Sequence, residues 1–403
     1  AALLATLSIA VSVALLLSVG SVRDGARASF SSAISDVDVV VGARAGGVQL
    51  MLYAVFGVGE APNAVSWESY QAVRAHPAHA WSVPISLGDS HRGRRVIGTT
   101  LEYFERYRYR GGQRLRFAEG RPFDGLYDAV LGAETAAALG YDLGRRIVLT
   151  HGISGPGLRD HDDKPFTVVG VLAPTGTPVD RGVFVSLEAI EAIHIDWRRG
   201  APVPGLRITA EETLSLNLRP QSITAALVGV KSPLAIFEFQ RFVNERREEP
   251  MTAVLPGVAL SQLWSVIGVG EQALTVIAGL VVTAALLGVA TMLLATTNER
   301  RREMAILRAS GARPGAIFGL LIAEATLITL MGAALGAALH YIGLAALQPW
   351  FDATFGLSLP ISAPGWREAG ALAGVAAAGA LAGLAPAIRA YRASLADGLT
   401  VRL

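Results

Sequence analysis

Cysteine is absent from the 403 residues, which excludes disulfides, thiolate metal sites and a cysteine nucleophile. Lysine is almost absent: Lys164 and Lys231 stand alone, and neither sits in a G-x-x-x-x-G-K-[ST] loop, whose glycines and lysine would wrap a nucleotide's phosphates. Charge is sparse as well. Asp, Glu, Lys and Arg together make up 17% of the chain and apolar residues 52%, where a soluble domain carries roughly 25% and 45–50%. The net charge is only +2, and the arginines form no continuous patch of the kind that nucleic acid binding requires. No H-E-x-x-H occurs, and HGISGPG around Ser154 is not the G-x-S-x-G of a serine hydrolase. Catalysis is therefore not expected of these residues.

Long apolar runs are what the sequence does have. Residues 1–22 carry no charge and are about as long as a bilayer crossing, which takes roughly 20 residues; a signal peptide would show a basic leader and a shorter core. We expect a retained span there, with residues preceding Ala1 in the full protein. Residues 272–298 have no ionisable side chain, residues 314–347 only Glu324 and His340, and residues 369–389 are rich in Gly and Ala, which lets membrane helices approach closely. Four spans are predicted. Basic residues in short loops mark the cytoplasmic side. The loop at 299–313 holds Arg300, Arg301, Arg302, Arg308 and Arg313, and the tail at 390–403 adds Arg392 and Arg402 beside Arg389. Both are placed inside, which puts residues 23–257, the stem at 258–271 and the loop at 348–368 outside.

The outer segment is long enough for a core of its own. VDVVVG, RRIVLT, PFTVVGVLA and GVFVSL read as strands, and DAVLGAETAAALGY as a strand followed by a helix stopped at Gly140. Leu260, Leu263, Val266 and Ile267 recur on one helical face, so the stem is expected to be helical. The predicted fold class is an α-helical membrane protein with four transmembrane helices and a large α+β extracytoplasmic domain on a helical stalk.

The run TNERRREMAILRASGARPGAIFGLLIAEATLITLMG resembles the signature of the FtsX-like permeases, a group that includes the MacB-type exporters and the lipoprotein-extraction permeases. Glu299, Arg300, Glu303, Ala305, Ala309, Gly311 and Ala312 match its E-R-x-x-E-x-A-x-x-x-A-x-G-A loop, and Glu324 matches the early glutamate of the next span. PAIRAYRASLADGL looks like the family's ending, with Leu395 where a second proline usually stands. FAEGRPF, AVLGAETAAALG and FTVVGVL are similar to its MacB-like periplasmic core domain. The cytoplasmic helix that usually precedes the first span is missing, as a start within that span would explain.

The resemblance implies the permease subunit of an ABC transporter of the mechanotransmission type, in the inner membrane of the cell, with the outer domain periplasmic. This chain would hold no cofactor; ATP and Mg would sit on a separate ATPase subunit. Its partners would be that ATPase, a second permease copy in a homodimer, a periplasmic adaptor or substrate-binding protein, and the lipid bilayer. Lipoproteins, peptides, macrolides and siderophores all remain open as substrates. The alternative is a signalling scaffold like the division permease, which activates a cell-wall hydrolase, but that permease has a much smaller outer domain.

Glu299, Arg300, Glu303, Met304, Ile306, Leu307, Arg308, Gly311 and Arg313 are the expected ATPase-coupling residues. Met304, Ile306 and Leu307 would enter a groove and the arginines would frame it; the simpler alternative is that the arginines only satisfy the positive-inside rule. Glu324 is expected to serve helix packing, because His340 lies too far along the same helix to form a relay with it. The histidines at 76, 79, 91, 151 and 161 are read as residues of surface loops, so no metal is expected; His151, His161 and Asp162 are the candidates if there is one. A reporter fused after Arg308 or Arg392 should read cytoplasm and one inserted near Gly155 the outside; the reverse at either place overturns the topology.

Overall fold

Strand Phe166–Leu172 shows how the outer domain is built: its residues alternate between buried and half-buried positions, as period-two apolar patterning requires. The computed structural model describes residues 2–152, 159–198, 201–203, 205–206, 208–355, 361 and 364–392. Ser154, Gly155, Leu395 and Arg402 lie outside the described residues, as does the tail beyond Arg392. Two compact units divide the chain. One comprises residues 27–266 and 352–358, the other residues 1–26, 267–351 and 359–403.

In the first unit a four-stranded antiparallel sheet runs in the order Met251–Val254, Val39–Ala43, Ala225–Val230 and His79–Ile85. Both of its faces are covered, which explains the unbroken apolar run at Val39–Val41. Val39, Val41, Ala226 and Val228 pack with Tyr70, Val73, Phe239 and Val243 of helices Trp67–Arg74 and Ile236–Asn244. Val40, Ala225 and Leu227 turn the other way, toward Leu50 and Tyr53 of helix Gly47–Ala54.

A mixed nine-stranded sheet follows the order Arg146–Ile147, Phe166–Leu172, Asp128–Leu131, Val183–Ser186, Arg94–Thr99, Asp89–His91, Thr150–His151 and Arg159–Asp160, with Phe117–Gly120 pairing off Phe166–Leu172. The expected strand at Arg145–Thr150 is thus two short strands paired with different neighbours. The expected strand-then-helix at Asp128–Leu139 is present. Gly140 ends that helix in the left-handed region at φ 63°, a conformation that a Cβ would oppose.

One helix, Pro256–Glu299, covers both the stem and the second span. Its first turns seat Ala259, Leu260, Leu263 and Trp264 in the outer domain's core. Val266 and Ile267 face away, at 75% and 40% exposure, so the buried stripe is narrower than the one read from the sequence.

The second unit holds most or all of helices Ala2–Arg27, Pro256–Glu299, Pro314–Phe351 and Trp366–Arg392, each long and apolar enough to span a bilayer. The shortest has 26 residues, about 39 Å at 1.5 Å per residue, against a hydrocarbon core of roughly 30 Å. A shared core draws Ile9, Val13 and Leu17 from the first, Val282, Ala285, Leu286, Val289 and Leu293 from the second, Ala325, Ile328 and Ala333 from the third and Val375 from the fourth. These positions recur at helical spacing while many Leu, Ile and Val on the other faces stay exposed, as lipid contact permits. Small residues set the contacts. A Cβ on Gly336 would lie 2.6 Å from the Ala10 carbonyl oxygen and one on Gly332 would lie 2.7 Å from Ile9 Cβ, so the G-x-x-x-G pair lets the first and third helices touch. Gly379 approaches Thr329 in the same manner.

Gly336→Val forces that backbone contact apart, at an expected cost of about 1–3 kcal/mol from overpacking. A Cβ at Gly343 meets nothing within 4 Å, so Gly343→Ala is its control. The check is the thermal unfolding midpoint in detergent: equal midpoints for the two variants would mean that the close approach does not hold the bundle.

Candidate functional site

Two regions carry chemistry, one in each unit. The loop after the second span folds as helix Arg301–Ala309, and its end is fixed by local rules. Gly311 adopts φ +100°, its N–H donates to the Arg308 carbonyl, and the Ala312 N–H donates to the Leu307 carbonyl. That is a Schellman closure, which wants glycine at this position. Pro314 then opens the next helix, where its missing N–H costs nothing. Glu299, Arg300, Arg302, Glu303, Gly311 and Arg313 are exposed, and Arg308 is half-buried. Met304 does not join them: it packs against Ile317, Leu321 and Ala387 of its own chain. The apolar side chains left exposed on this helix are Ile306 and Leu307, at 57% and 46%.

Within the spans, Glu324 is half-buried and makes no hydrogen bond or ion pair with any described residue. His340 is buried, and its ring bridges Ser18 (2.9 Å) and Ser21 (3.1 Å) of the first helix, which gives it an interhelical role.

The outer domain holds a cluster that local spacing did not disclose. Asp89 and His151 are directly opposed in an antiparallel pair of strands, so their side chains share a face. The next strand ends at Asp160, and the His161 N–H donates to the Leu149 carbonyl, which brings the His161 ring in beside them. His194 comes from the end of helix Leu187–His194, which Ser186 caps and which Ala189 and Ile193 anchor to the sheet. Ligand atoms of Asp89, His151, His161 and His194 all lie within 4.8 Å of one another. The surface-loop reading of the histidines is thereby corrected for His161, which is 1% exposed because the sheet and the Trp197 ring cover it, and likewise for His91, which is buried at the end of strand Asp89–His91. Asp162 points elsewhere and is exposed; Asp89 supplies the carboxylate instead.

The other histidines are separately accounted for. His91 is buried, donates to the Val148 carbonyl and meets the Tyr141 hydroxyl. His76 packs on Phe239 and Phe242, and His79 bonds Ser82.

Burial alone would raise the Asp89 carboxyl, but the hydrogen bonds from His151 and His194 outweigh it and hold the group down to about 2. Burial, aided by the nearby His194, pushes the His161 imidazole down to about 4, so the ring is neutral at pH 7 with a lone pair to offer. Lys164 braces the assembly from behind. It is fully buried between Asp163 (2.9 Å) and Asp196 (3.2 Å), which ties the His161 turn to the segment after His194. His161 and Asp162 stand side by side in the sequence, but nothing local to them points to Asp89, His194 or Asp196.

The description "MacB-like periplasmic core domain" matches residues 2–228 and "FtsX-like permease C-terminal" residues 275–395. The chain belongs to the family of permeases that join these two parts. The macrolide export ATP-binding/permease protein MacB of Azoarcus sp. (strain BH72) is 26% identical over 239 residues, 57% of this chain. The chain spans about a third of that relative's length, 32%. The crystal structure of the periplasmic region of MacB from Actinobacillus actinomycetemcomitans aligns with 57% of this chain and 94% of its own, at 10% identity and a TM-score of 0.34. The extracellular domain of a noncanonic ABC-type transporter, YknZ, from Gram-positive bacteria aligns with 54% and 98%, at 11% identity and a TM-score of 0.31.

Lys164→Met removes the cation between Asp163 and Asp196 and strands both carboxylates. Breaking a buried pair in this way commonly costs about 3–5 kcal/mol. The denaturant midpoint of the purified protein is expected to fall accordingly; an unchanged midpoint would show that water reaches both carboxylates.

Proposed function

We propose that this chain is the transmembrane permease of an ABC transporter of the mechanotransmission type, working as a homodimer in the inner membrane. The observation that carries the reading is the pairing of the two family matches on one chain, the second of which contains a short basic helix that closes on Gly311. On this reading the ATPase is a separate subunit that docks on helix Arg301–Ala309, with Ile306 and Leu307 as the apolar anchors and Arg300, Arg302, Glu303 and Arg313 around them. Closure of the ATPases moves the helices that lead outward, and the outer domains move a substrate on the periplasmic side, with a periplasmic adaptor completing the path. Support comes from the exposure of Ile306 and Leu307 on that helix, beside the exposed Arg300, Arg302, Glu303 and Arg313. The MacB relative's printed activity, macrolide export, makes efflux of amphipathic small molecules the first substrate class to try.

The test is Glu303→Lys combined with Ile306→Asp. Met304 is left intact because it packs internally. Loss of a buried apolar anchor at an interface commonly costs more than about 1 kcal/mol, and a central one 2 kcal/mol or more. Both changes are at exposed positions, so insertion and yield should be normal. The unaltered permease is expected to co-purify with its cognate ATPase and the double variant to lose both the association and transport. Full association in the double variant would reduce the helix to a positive-inside anchor and shift attention to the tail beyond Arg389.

A further inference from the structure

We infer that Asp89, His151, His161 and His194 form a four-ligand site for a divalent transition-metal ion of the zinc class in the outer domain. This rests on geometry within that domain and is independent of the transport reading. Zinc bonds of about 2.0–2.2 Å to imidazole and carboxylate place neighbouring donors of a tetrahedron about 3.4 Å apart. The donors here already stand at that spacing. Asp89 Oδ1 lies 3.1 Å from His151 Nδ1 and 3.4 Å from His194 Nε2, and those two nitrogens are 3.0 Å apart. His161 Nε2 completes the set at 3.9 Å from the same carboxylate oxygen.

Two further observations separate an ion site from a cluster of hydrogen bonds. The His161 side chain is 0% exposed, yet neither of its ring nitrogens has a hydrogen-bond partner among the described residues. A buried imidazole without a partner is costly, and a metal ion beside Nε2 satisfies it. In addition, His194 donates Nδ1–H to the Ile190 carbonyl at 2.9 Å, which orients the ring so that Nε2 faces Asp89 and His151, where a metal ion would take the place of the proton it shares with Asp89. Metal-bound histidines are usually oriented by such a bond.

Three imidazoles and one carboxylate fill four positions, as in a closed structural site, and the donor set suits zinc over calcium or magnesium. Trp197 lies against all three histidines, with ring centroids 4.4 Å from His161, 5.3 Å from His151 and 5.6 Å from His194. The ion would therefore clip the neighbouring strands at Asp89 and His151 to the end of helix Leu187–His194, two parts of the domain that are distant in sequence.

The experiment uses the whole chain in detergent, stripped with a chelator and dialysed, and then titrated with zinc and separately with cobalt. We expect one equivalent of zinc to be taken up per chain, and cobalt to give the intense visible bands of a four-coordinate ion, saturating at one equivalent. His151→Ala and His194→Ala alter partly exposed side chains, so the fold should survive, as circular dichroism will check. Each should weaken binding by more than the roughly 10–100-fold that loss of an outer-shell partner costs. Asp162→Ala, outside the cluster, should bind as the unaltered chain does. Substoichiometric uptake, absence of the cobalt bands or unchanged affinity in His194→Ala would overturn the proposal and leave an aspartate–histidine hydrogen-bond network. Equal losses in Asp162→Ala and His194→Ala would overturn the ligand assignment.

Discussion

In hydrocarbon, apolar surface gains almost nothing by leaving lipid for another apolar surface, so membrane helices are held by close approach and by the few polar groups they share. Everything in the spanning unit follows from that constraint. Gly332, Gly336 and Gly379 stand where a Cβ would collide with a neighbouring helix, and His340 is bonded by serines of the first helix. Many large aliphatic residues, which would drive burial in water, are left exposed on the outer faces, such as Leu280, Leu287, Leu327 and Ile342. The outer domain obeys the opposite rule: its two sheets bury Val, Leu and Phe on faces covered by helices, because there water supplies the driving force.

That difference explains what was legible in the sequence. The spans are signalled by length and apolarity alone, so they can be read without tertiary information. Strands such as Phe166–Leu172 and the helix stopped at Gly140 obey local rules and were read correctly for the same reason. The stem was less legible. Its helical period identified Leu260 and Leu263, but which side of the helix meets the domain depends on where that domain lies, and Val266 and Ile267 face away.

The histidine cluster was hidden for a physical reason rather than for want of signal. Metal motifs that can be read from sequence place ligands on one helix or one tight loop, at spacings fixed by local geometry. Here the four groups come from two neighbouring strands, a turn and a helix end, and strand register alone makes Asp89 the neighbour of His151. The acid adjacent in sequence, Asp162, was the natural guess, yet it sits one residue past a buried ring and points outward.

Lys164 shows how such a distributed cluster can be held without a local motif. A buried ion pair gains little net stability over apolar packing of the same volume, because desolvation offsets most of the attraction. What it supplies is position. A carboxylate pair is satisfied only when the ammonium sits between both groups, so Asp163, on the His161 turn, and Asp196, two residues beyond His194, must meet at one point. The His161 carbonyl accepts from the Lys164 N–H at 3.2 Å, which fixes the turn itself. In a chain that uses arginine for nearly all its basic positions, a lysine is the compact cation that fits a fully enclosed site between two carboxylates. The same bracing that orders the turn holds the His161 ring, unbonded to any described group, facing Asp89.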